Sequence, residues 1–150
     1  MVEEVAATIF IEPVIVLGVI LGLYELILIH RDESFRRSHW LGHGIHAVVI
    51  MMIALFAVFN WAYFLQLTGL GTKNIPLISN ILVGRIAIGL ILNFKMHAVS
   101  AVVKGRAFAG GVSGGMAEHW THTIIVSVLV VTAPYYWPLI LPMLPAWARF

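Results

Sequence analysis

Seven histidines, His30, His39, His43, His46, His97, His119 and His122, together with zero cysteines, define the chemistry open to this 150-residue chain. Imidazole ligates iron, copper and zinc, and it is the side chain that titrates nearest neutral pH. His39, His43 and His46 stand at i, i+4 and i+7, which puts them on one face of a helix. Glu118 and His122 stand at i and i+4 with His119 between them, so a second helix presents a carboxylate and imidazoles together. Bundles build metal centres from such groups on facing helices, which makes His39, His43, His46, Glu118, His119 and His122 the candidate metal ligands. Di-iron bundles repeat an E-x-x-H spacing on two helices, whereas the acid and imidazole occur here once and at another spacing, so that family is not assigned. A haem requires only two imidazoles on facing helices, and His46 with His97 meets that demand. The cofactor is therefore left between a transition metal and haem. Without cysteine, thiolate-held iron–sulfur clusters, thiol–disulfide exchange and c-type haem attachment are excluded. For any one histidine the competing reading is interfacial, a polar ring tip meeting lipid headgroups.

Positioning these residues falls to the apolar segments that surround them. With 61% hydrophobic and 11% charged residues, the chain has too little polar side chain to coat a water-soluble domain. Four apolar stretches, 9–29, 44–66, 77–103 and 121–143, reach the length of about 20 residues that a helix needs to cross a bilayer. Backbone groups in lipid must find internal partners, so stretches of this length predict helices rather than a barrel. The expected fold is an all-α membrane protein: a single integral domain over 1–150, four transmembrane helices in a compact up-down bundle. The first stretch follows Glu3 and Glu4, contains Glu12 and lacks a small-residue cleavage site, so it reads as mature structure and not a signal peptide.

Basic residues in short loops favour the cytoplasmic side. Arg31, Arg36, Arg37, Lys104 and Arg106 flank one side of the four stretches, against Lys73 and Arg149 on the other, which predicts both termini outside. Aromatic belts agree, with Trp40 and Trp120 inside and Trp61, Tyr63, Tyr135, Tyr136 and Trp137 outside. All seven histidines then share the inner side.

Four charges fall within the apolar stretches, Glu12, Glu25, Arg85 and Lys95, and each costs about 3 kcal/mol near the bilayer centre unless paired. Glu12 with Arg85 and Glu25 with Lys95 are the simplest pairs, although ideal helices point the two acids about 140° apart and the two bases about 80° apart. A proton pathway through Glu25, Lys95 and His97 is the functional alternative. The order helix, histidine, basic loop, His-Trp, histidine, helix occurs twice, with His39-Trp40 and His119-Trp120 in corresponding places, as two parallel helical-hairpin repeats would have it. Gly18 and Gly22 have the spacing of close helix packing. The connection 104–117 is rich in glycine and reads as a loop; its Gly111-Val112-Ser113-Gly114 matches the G-x-S-G of rhomboid proteases, a coincidence in a chain with four helices. Pro134, Pro138, Pro142 and Pro145 predict a kink in the fourth helix or a break near Ala133.

These observations point to a small accessory integral subunit of a multisubunit membrane complex of redox type, such as a membrane monooxygenase or respiratory assembly, with a histidine-lined metal site. Its partners would be other membrane subunits and the lipid bilayer; a net charge of +2 offers no nucleic-acid surface. The alternatives are a stand-alone histidine-ligated haem or metal electron carrier, and a small proton or ion transporter resting on Glu25, Lys95 and His97.

Overall fold

The computed structural model describes residues 8–31, 40–73, 75–109 and 120–149, with side chains over 8–27, 45–73, 75–97 and 122–149. Those residues form five helices and no strand: α1 (Glu12–Arg31), α2 (Trp40–Phe59), α3 (Trp61–Leu67), α4 (Ile81–Ala109) and α5 (Trp120–Ile140). Two 3-10 turns, Leu141–Met143 and Ala146–Ala148, follow α5. Helix α1 opens on Glu12 and Pro13, an acid that favours the positive end of the helix dipole and a ring that tolerates the first turn. Helix α4 is capped by Asn80, whose Oδ1 accepts from the amides of Leu82 and Val83 at 2.9 and 3.2 Å.

The up-down topology can be followed contact by contact. Gly22 of α1 faces Val48 of α2, Gly18 faces Met52, and Phe10, just before α1, is held by Asn60, so the partners run in opposite order. A Cβ on Gly22 would lie 2.8 Å from the Val48 Cα, so the absence of a side chain is what lets the two backbones approach. Helices α4 and α5 are also antiparallel: His97 meets Thr123, Gly89 meets Val131, and Arg85 meets Tyr135. The two hairpins touch near both ends, through Glu25 and His122 at one and through Val58 and Arg85 at the other. Between these contacts lies one apolar core from α1, α2, α4 and α5, including Leu17, Met51, Leu55, Val58, Leu92, Val126 and Val130.

Two elements depart from expectation. The second apolar stretch is two helices, not one, bent by 67° between Phe59 and Trp61. Asn60 makes the bend worthwhile: it is 1% exposed, its Oδ1 accepts from the Phe10 amide at 2.7 Å, and its Nδ2 donates to the Phe10 and Phe56 carbonyls. Breaking the helical ladder there leaves carbonyls at the end of α2 without their usual donors, and Arg85 Nε takes up that of Val58 at 3.1 Å. In the opposite sense, α5 does not break near Ala133 but runs through Pro134 and Pro138 to Ile140, giving way to 3-10 turns only as Pro142 and Pro145 follow. Trp137 leaves the expected aromatic belt for the core, at 7% exposure. Helix α4 extends to Ala109, so the glycine-rich connection begins later than its first glycine, Gly105.

Among the described residues one helix, His122–Met143, is long and apolar enough to cross a membrane by itself, with a mean hydropathy of 2.0. The bent pair Ile45–Phe59 and Trp61–Leu67 passes the same test when taken together. The outward faces of the long helices are nonetheless apolar in continuous i, i+4 stripes: Ile15, Val19, Leu23 and Ile27 on α1; Ile45, Val49 and Ile53 on α2; Leu82, Ile86, Leu90 and Phe94 on α4; Ile124 and Val128 on α5.

Candidate functional site

The buried face of α1 repeats at Val14, Leu17, Gly18, Leu21, Gly22 and Glu25, so the helical period that builds the core also carries a carboxylate into it. Glu25 is 3% exposed, and its Oε1 lies 3.0 Å from His122 Nε2 near the start of α5. The His122 ring is also flanked by Tyr24, with ring centroids 5.7 Å apart. With Nε2 on the carboxylate, His122 has Nδ1 as its second nitrogen for a proton or a metal, the arrangement in which an acid orients an imidazole.

The next residue of α5 turns to the other side. Thr123 is fully buried, its Oγ1 2.7 Å from His97 Nε2 and 3.1 Å from Asn93 Nδ2, both on α4. The Asn93 amide donates to the hydroxyl; the hydroxyl either donates to an unprotonated Nε2 or accepts from a protonated one, so this contact is coupled to the His97 tautomer. The first turn of α5 thus ties a histidine to α1 on one side and a histidine of α4 on the other. This is a buried carboxylate–imidazole pair beside a hydroxyl-linked imidazole, suited to holding and passing protons or to supporting a ligand set.

The sequence-derived candidates divide accordingly. His122 and His97 are brought into this polar cluster. His46 lies on α2 with its side chain exposed, and no described contact joins it to His97. His43 lies in the first turns of α2 and His30 in the last turn of α1, both by backbone at this same end of the bundle, while their side chains lie outside the described set. His39, Glu118 and His119 lie outside the described residues. Among the described residues no group of three or more histidines or acids is placed to hold a metal ion.

The expected charge pairs are rearranged. Glu25 meets His122 instead of Lys95, which is exposed on α4. Arg85 donates to the Val58 carbonyl and lies 5.5 Å from the centroid of the Tyr135 ring instead of reaching Glu12. Asn60, Asn93 and Thr123 were not singled out by sequence; the usable signal was an asparagine inside an apolar run, where an amide is costly unless hydrogen-bonded. No protein-family model, curated protein or solved structure matches this chain.

Proposed function

We propose that the chain is a small accessory integral subunit of a multisubunit membrane complex of redox type, crossing the bilayer four times with both termini outside. The observation that carries this reading is the set of apolar stripes on the outward faces of all four long helices, which suit hydrocarbon or other membrane helices and not water. Among the described residues, Glu25, His97, His122 and Thr123 gather at the end where α1 finishes and α2 begins. The redox part rests on His122, oriented by Glu25, with His97 near by and His39, His43, Glu118 and His119 as further ligand candidates.

Gentle extraction of the full chain from its native membrane tests both halves in one preparation. Copurifying membrane subunits with stoichiometric iron, copper or zinc, or a Soret band, are expected, and the metal should fall when His122 or His43 is changed. A lone chain without metal or visible chromophore refutes the proposal.

A second reading, proton translocation, is favoured by one contact, the buried Glu25–His122 pair. Proton flux in vesicles that vanishes in Glu25→Gln while the chain remains folded would replace the subunit reading with this one.

A further inference from the structure

At the opposite end of the bundle, Glu12, Leu141, Pro142 and Arg149 line a shallow, open cavity of about 480 Å³. Its two charges come from the first turn of α1 and from the residue that follows the second 3-10 turn. Glu12 opens α1 two residues after Phe10, which Asn60 clamps through the Phe10 amide and carbonyl. Arg149 is held by bonds from Nε to the Leu144 carbonyl and from Nη2 to the carbonyls of Pro142 and Leu144, at 2.6–2.9 Å. The two side chains nonetheless do not pair: the one ion pair among the described residues is that of Glu25 with His122. Glu12 Oε1 has no hydrogen-bond partner, while the residue as a whole is only part-buried and lines the cavity, where a cation can approach the carboxylate.

An acid and a guanidinium that line one cavity without pairing match a ligand with opposite charges at its two ends. We propose that this cavity binds a phosphate–ammonium zwitterion of the phosphoethanolamine type, its phosphate on Nη1 of Arg149 and its primary ammonium on Glu12. A primary ammonium fits better than a quaternary one because only the former has N–H donors to give a carboxylate. Leu141 and Pro142 supply apolar walls, and the neighbouring Met143 and Trp147 project outward at 83% and 86% exposure, as anchors beside a lipid headgroup would. The headgroup of a phospholipid and free O-phosphoethanolamine offer the same chemistry. The lipid source rests on the membrane reading; the site itself rests on neither partner subunits nor a metal.

Native mass spectrometry of the full chain with phosphatidylethanolamine, phosphatidylcholine and phosphatidylglycerol, and calorimetry with O-phosphoethanolamine, decide the matter. The ethanolamine lipid is expected to be retained over the other two, with Glu12→Gln and Arg149→Gln each weakening it about tenfold or more, the loss of one charge-assisted hydrogen bond. Binding of O-phosphoethanolamine with the same dependence on both residues, and no lipid preference, assigns the site to a soluble zwitterion. Equal retention of the choline lipid, binding unchanged in both variants, or no binding of either probe to a wild-type chain with an intact unfolding transition overturns the proposal.

Discussion

Replacing Glu25 by Gln, His122 by Asn, and both together isolates the contact that joins the two hairpins at their histidine-bearing end. Oε1 and Nε2 lie 3.0 Å apart, with the carboxylate side chain 4% and the imidazole 21% exposed. A hydrogen bond involving a charged group contributes about 1.5–3 kcal/mol net. Water can partly replace the carboxylate at a ring that is one-fifth open, which moves the expectation to the lower half of that range, about 1.5–2 kcal/mol. Side-chain hydrogen bonds within a membrane bundle average about 0.6 kcal/mol, so the expected value separates a charged pair from an ordinary polar contact. The assay is reversible unfolding of the four proteins in mixed micelles of increasing SDS, followed by tryptophan fluorescence. The coupling energy is the quantity to compare, because the cycle cancels whatever else each residue touches. A coupling below about 0.5 kcal/mol, within the usual error of additivity, refutes the assignment of this pair as the link between hairpins.

Gly22→Ala is expected to lose about 1–2 kcal/mol of unfolding free energy, since the strain of a Cβ 2.8 Å from the Val48 Cα exceeds the helix propensity of about 1 kcal/mol gained. Gly18→Ala meets the movable Cγ of Met52 and should cost distinctly less, so equal losses at the two sites would contradict the seam geometry. Asn60→Ala removes the hydrogen bonds to Phe10 and should destabilise by about 1–3 kcal/mol while accelerating hydrogen exchange at the Phe10 amide; unchanged exchange there would refute the clamp.

The helices were legible because apolar runs longer than about 20 residues offer the backbone few partners other than its own groups, which a helix pairs within the run. The bend at Asn60 was not, since its cause is a partner, Phe10, lying 50 residues earlier in the chain. A hydropathy profile averages one asparagine away. At the site, both members of the decisive contact were singled out, but in separate groups: Glu25 as an intramembrane charge in search of a base, His122 as one of a cluster of ligands. The helical period that builds the core carries Glu25 onto the buried face of α1, yet which helix covers that face depends on how one hairpin sits on the other. The same limit applies to Arg85, whose acceptor is a carbonyl exposed by the bend and therefore invisible to any scheme that pairs side chains by charge.

The close seam of α1 on α2 also has a bearing on how the chain assembles. Its contacts, from Gly22 on Val48 out to Phe10 on Asn60, span at most 50 residues and are complete once residue 60 has left the ribosome. The hairpin of α4 and α5 is likewise self-contained, from Asn93 on Thr123 to Arg85 on Tyr135. The Glu25–His122 and Val58–Arg85 bonds, and the apolar core between them, must wait for two finished halves to meet. Assembly accordingly divides into two locally encoded hairpins followed by one docking event, and defects in the two polar clasps would trap correctly formed hairpins that have not joined.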